Sequence, residues 1–80
     1  MIDLPLSMLA KGLNVLDAFV DAGLVSSRGD ARRIIVQGGA FVNNRQMEDP
    51  LRRLTEADLV GGSLILLRLG RNRRAIARFL

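Results

Sequence analysis

Eighty residues, 49% hydrophobic and 25% charged, form a globular composition for one small domain whose single core has to be well filled to hold. No uncharged apolar run reaches the roughly 18 residues that a membrane span needs, and the absence of cysteine excludes disulfides, which fits a reducing cytoplasm. The net charge of +4 is unevenly placed: residues 1–40 hold four bases and four acids, so the whole excess lies in the second half.

Met1-Ile2-Asp3-Leu4-Pro5 lacks the basic start and cleavage site of a secretory signal. Residues 1–11 read as a linker remnant, with the domain proper expected over 12–80. From Gly12 to Gly23, the side chains Leu13, Leu16, Phe19 and Val20 recur at helical spacing. This predicts a first amphipathic helix, capped by Asn14 and ended by Gly23. A second helix is expected from Ser27, whose hydroxyl can cap the backbone while Asp30 complements the helix dipole; Gly38-Gly39 stops it. At about 100 degrees per residue, Ala31, Ile34 and Ile35 share an apolar face. Arg28 and Arg32 then lie on its edge, with Arg33 and Gln37 beyond, so three arginines point away from the core within two turns.

After the glycines the pattern becomes that of strands. Ala40-Phe41-Val42 leads into Asn43-Asn44, residues that tolerate the left-handed region of a tight hairpin turn, and Arg45-Gln46-Met47 returns. Asp49-Pro50 is a turn, Thr55 to Asp58 suits a short capped helical turn, and Gly61-Gly62 breaks it. Leu64 to Leu67 reads as a buried strand. Gly70 to Arg73 turns the chain into a last segment, Arg74 to Leu80, in which Arg74 and Arg78 share one face with Ile76 between them.

The inventory of reactive side chains is restrictive. With no His, Cys, Tyr or Trp, the usual metal-ligand clusters, serine triads and thiol chemistry are excluded. The eight acids are scattered, mostly at caps and turns. Neither glycine pair opens a helix behind a strand with the spacing of a phosphate loop. Arginine dominates instead, since Lys11 is the only lysine among 12 basic residues. A GC-rich genome would account for that ratio but not for the clustering of Arg68, Arg71, Arg73, Arg74 and Arg78 between Leu64 and Leu80, where no acid occurs. Such a field attracts phosphate, and the planar guanidinium can hold it bidentately or stack on a base.

The stretch Ser27-Arg28-Gly29-Asp30-Ala31-Arg32-Arg33-Ile34-Ile35, followed by Gly38, Val42 and Asn43 at matching intervals, resembles the signature of the S-four-like RNA-binding domain. Among families carrying that domain, Gly38-Gly39 and the ending Leu66-Leu67-Arg68-Leu69-Gly70-Arg71-Asn72-Arg73-Arg74 resemble the C-terminal domain of bacterial-type tyrosyl-tRNA synthetases. The likeness runs from about Leu13 to Leu80. It departs at Asn44, where the family usually has glycine, and at Phe41, often polar there; Phe41 could stack on an unpaired base or pack beside a neighbouring strand.

The resemblance implies an α+β fold of two N-terminal helices on a small, mainly antiparallel sheet. It implies a part without catalytic, metal or cofactor site, whose absent catalytic domain would use ATP and tyrosine in a homodimeric parent; the isolated domain would be a monomer. The partner implied is tRNA, tyrosine tRNA above all, gripped at its long variable arm and anticodon side. In this reading Arg28, Arg32 and Arg33 meet phosphates, Ser27 caps and donates, and Gln37 extends that face. Asn43, Asn44 and Arg45 touch RNA from the hairpin turn, and Arg71, Arg73 and Arg74 supply attraction from the last hairpin. Three alternatives stay open at this point. One is the same module in a ribosome-associated heat-shock protein or a pseudouridine synthase. Another is a DNA-binding helix-turn-helix. The third is a protein-interaction domain.

Overall fold

The capping residues act where the sequence places them. Asn14, in extended backbone, accepts a hydrogen bond from the Leu16 amide at 2.9 Å and starts a helix over Val15–Asp21. Ser27 Oγ accepts from the Asp30 amide at 3.2 Å and starts another over Arg28–Val36. The computed structural model describes every residue from Met1 to Leu80. Its elements in chain order are β1 (Ile2–Leu4), α1 (Ser7–Ala10), β2 (Leu13–Asn14), α2 (Val15–Asp21), α3 (Arg28–Val36), β3 (Ala40–Val42) and β4 (Arg45–Gln46). They continue with β5 (Arg53–Leu54), a 3-10 turn (Glu56–Asp58), β6 (Leu64–Leu69) and β7 (Arg73–Phe79).

Five strands form one sheet in the order β1-β7-β6-β3-β4, antiparallel throughout except for the parallel β1–β7 pair. The fold is therefore α+β with a mainly antiparallel sheet. A two-stranded ribbon, β2 against β5, lies apart from it, so Leu13 and Asn14 belong to a strand where a helix start was expected. The partner strand is about 40 residues further along the chain, which local periodicity cannot register.

All 19 buried residues are hydrophobic, and none is polar or charged. Val15, Leu16, Ala18 and Phe19 from α2 and Ala31 and Ile35 from α3 meet the inward side chains Ile65, Leu67, Leu69, Ala77 and Phe79 of the sheet. Burying a side chain such as Phe19 or Leu16 contributes about 1.5–3 kcal/mol each. The helices lie on one side only. Along β6 the inward residues therefore alternate with Leu64, Leu66 and Arg68, which stay partly exposed. The run read as a buried strand is buried on one face, because no layer covers the other.

Residues 1–11, expected as a linker, form an edge strand and a short helix. Ile2, Asp3 and Leu4 register with Ala77, Arg78 and Phe79, and the Leu6 amide donates to the Leu80 carbonyl at 2.8 Å. Leu9 of α1 is buried in the core. Without β1, the outer edge of β7 would leave its backbone groups unpaired.

The same junction carries a two-point ion pair. Arg78 donates through Nε and Nη2 to the two Asp3 carboxylate oxygens at 2.9 and 2.8 Å. These hydrogen bonds hold the Asp3 carboxyl below its ordinary value of 3.8 and raise Arg78. Because the folded value is the lower one, the pair supports folding above the ordinary value and that support is lost as pH falls through the folded one. The expected result is an Asp3 carboxyl carbon shift titrating below 3.8 in the folded chain. Replacing Arg78 by Gln should return it upward. A wild-type midpoint at or above the ordinary value contradicts the pairing.

Candidate nucleic-acid interface

The outward side of α3 carries Arg28, Arg32, Arg33 and Gln37, all exposed. Two of the arginines already have partners. Arg28 Nε lies 3.4 Å from the Asp17 carboxylate on α2, and Arg33 Nη2 lies 3.5 Å from that of Asp30. Asp30 also accepts from Ser26 Oγ at 3.0 Å, so the start of α3 has its own carboxylate beside the free amides. Ser27 Oγ is engaged as the helix cap, which leaves its hydroxyl proton available to donate. Arg32 stands between the two pairs with no ion-pair or hydrogen-bond partner, and Gln37 closes the helix as its C-terminal cap. Surface pairs of this kind contribute about 0–1 kcal/mol, so phosphate can displace either carboxylate at small cost.

The β3–β4 loop is two residues long, with Asn43 at φ 52 and Asn44 at φ 66. Both central residues in the left-handed region is the condition of the mirror-image hairpin turns that match strand twist. Asn43 is held by protein on every side. Its Nδ2 donates to the Asp58 carbonyl at 2.7 Å, its Oδ1 accepts from the Leu66 amide at 2.9 Å, and its own amide donates to the Leu66 carbonyl at 2.8 Å. Asn44 and Arg45, by contrast, are exposed with free side chains. Arg45 opens onto a groove of about 670 Å³ floored by Val42 and Met47 and edged by Glu48, Asp49 and Arg52; Arg52 is paired with Asp58 at 2.7 Å.

At the other end of β3, the Gly70 amide donates to the Gly39 carbonyl at 2.8 Å and sets the β6–β7 turn beside the end of α3. Here the Arg73 guanidinium donates to the Leu24 carbonyl, stapling β7 to the α2–α3 connection. Arg33 and Arg73 line the same depression of about 450 Å³ together with Ser26 and Asp30. Arg71 is exposed without a partner, and Arg74 donates to the Arg71 carbonyl at 3.3 Å. Phe41 is covered on one ring face by the Arg68 guanidinium, 3.9 Å from the ring centroid.

The expected residues therefore fall into two groups. Those of α3 approach the β6–β7 hairpin through Arg33, which shares a depression with Arg73, while Asn43, Asn44 and Arg45 sit at the far end of β3, about 10 Å along the strand at its usual rise. Arg74 falls on the uncovered face of the sheet, opposite Arg68. Arg68 was not among the expected contacts. The alternation along β6 that sends Ile65, Leu67 and Leu69 inward was the signal for its outward position.

Residues 2–76 match the family described as the tyrosine–tRNA ligase SYY-like C-terminal domain. The chain is 43% identical over 77 residues to the tyrosine–tRNA ligase of Rhodopirellula baltica, covering 95% of this chain and 18% of that protein. It is 38% identical over 71 residues to that of Treponema denticola, covering 89% and 18%. With the chloroplastic/mitochondrial tyrosine–tRNA ligase of Arabidopsis thaliana it shares 37% over 67 residues, covering 84% and 13%. The chain thus spans less than a fifth of the length of these relatives. No helix is long and apolar enough to cross a membrane. A match over nearly its whole length, on the residues that build α2, α3 and the sheet, makes this chain a member of the tyrosine–tRNA ligase C-terminal domain family.

Proposed function

We propose that the chain is the tRNA-gripping appendage of a tyrosine–tRNA ligase. It holds tyrosine tRNA by the long variable arm and anticodon side while a catalytic domain outside these 80 residues joins tyrosine to the tRNA with ATP. The observation that carries the reading is the exposed arginine face of α3, with partnerless Arg32 between two displaceable pairs and Arg33 sharing a depression with Arg73. The α2–α3 pair followed by the β3–β4 hairpin fits the S-four-like RNA-binding fold.

In this assignment Arg28, Arg32 and Arg33 hold phosphates, and Ser27 and Gln37 add polar contacts at the two ends of α3. Asn44 and Arg45 reach RNA from the turn, whose shape Asn43 maintains. Arg71 and Arg74 add field from the β6–β7 turn, and Arg73 acts through its staple to Leu24. Such a surface reads shape and backbone, because the deep groove of A-form RNA is closed to side chains. The domain itself needs no cofactor, the parent is a homodimer, and the reading places it where translation occurs, in the cytoplasm.

Competition binding tests the partner. With the eighty-residue chain, tyrosine tRNA should displace a labelled tyrosine tRNA at far lower concentration than a tRNA with a short variable arm or a duplex DNA of equal charge. Equal competition by the short-armed tRNA would remove the variable arm from the reading. Better competition by the DNA would point to the helix-turn-helix alternative.

A further inference from the structure

The outer face of the sheet, which no helix covers, carries two cross-strand rows of charge that differ in one respect. In the first, Arg78 lies between Leu64 of β6 and Asp3 of β1, and its charge is met by the Asp3 carboxylate. In the second, Arg68 of β6 lies directly opposite Arg74 of β7, with Phe41 on the other side of Arg68, and neither arginine has an acidic partner. No acid occurs anywhere from Leu64 to Leu80. Like charges directly opposite each other across strands are destabilising, so an uncompensated pair here is costly unless an anion lies against it.

The two guanidiniums are also held in place. Arg68 lies over the Phe41 ring and donates to the Gly70 carbonyl, and Arg74 donates to the Arg71 carbonyl. Each uses one donor on the turn and keeps the rest of its fork free. Between the two charged rows, Leu66 and Ile76 pair across the strands as a partly exposed aliphatic ledge.

We infer that this face is a second contact surface for the RNA, resting on the RNA-binding reading above. Arg68 and Arg74 together clamp a backbone phosphate, and the Leu66–Ile76 ledge packs on the adjoining ribose. A single negative group matches the uncompensated pair, and a sugar edge matches the flat aliphatic strip of Leu66 and Ile76, beside which the half-buried Phe41 ring already carries Arg68 on one face. The grip on RNA then extends from α3 across the β6–β7 turn onto the sheet.

The test is a titration of tyrosine tRNA with the eighty-residue chain at several salt concentrations, using Arg74→Gln, Arg68→Gln/Arg74→Gln and Arg32→Gln. The double variant should lower the slope of log affinity against log salt by about one to two and weaken binding roughly tenfold or more at ~0.1 M salt. Should loss of the Phe41 contact unfold the double variant, the single Arg74→Gln, at an exposed position, decides with a slope change of about one. A folded variant with wild-type slope, alongside a reduced slope for Arg32→Gln, overturns the sheet surface and leaves α3 as the RNA site. Unchanged slopes in all variants would overturn both.

Discussion

Replacing Arg28, Arg32 and Arg33 together by glutamine is expected to weaken tyrosine tRNA binding by about two to three orders of magnitude at ~0.1 M salt, with the salt slope reduced by about two to three. Each arginine that neutralises a phosphate releases a condensed counterion, so the loss appears in the slope as well as in the affinity. The three sites should not contribute equally. Arg28 and Arg33 must first leave Asp17 and Asp30, whereas Arg32 has no partner to leave. Single replacements should therefore rank Arg32→Gln as the most damaging. Glutamine keeps the helix propensity of α3, and removing two exposed pairs costs at most about 1 kcal/mol each. Thermal unfolding should shift little, and an unchanged salt slope in the folded triple variant would sink the assignment.

Asn43→Ala is expected to destabilise the domain by about 3 kcal/mol, a large share of the stability a domain of this size has. Three effects add. Alanine at φ 52 bears a cost of about 1–2 kcal/mol in the left-handed region. The bond to the Asp58 carbonyl disappears, and the part-buried Leu66 amide loses its acceptor, at about 1–3 kcal/mol. Asn43→Gly removes only the first cost, so denaturant unfolding should place it between wild type and Asn43→Ala. Asn44→Ala provides the contrast, with backbone strain at φ 66 but no bonds to lose. If Asn43→Ala were no worse than Asn44→Ala, the side-chain bonds would not be what holds the turn.

This pair of asparagines illustrates what could be read before the structure. The turn and its left-handed backbone were legible, because Asn-Asn directly after the short strand-like run Ala40-Phe41-Val42 has few other uses. The different roles of its two residues were not. Asn43 takes its partners from Asp58 and Leu66, 15 and 23 residues away, and no local pattern names them. The same holds for the arginines. Their density near the chain end was visible as composition, yet Arg73 and Arg78 prove to be tied to Leu24 and Asp3, 49 and 75 positions distant.

By itself, the sequence determined the features that depend on neighbours along the chain. These are the caps at Asn14 and Ser27, the arginine face of α3, the β3–β4 hairpin and the capped turn at Thr55. Spacing also carried the family likeness. Only the tertiary structure decided that Ile2 to Leu4 complete the sheet, that Leu13 and Asn14 pair with Leu54 and Arg53, and which arginines remain free. Helix and turn energies arise within a few residues, whereas sheet edges and ion pairs are closed by groups that only folding brings together.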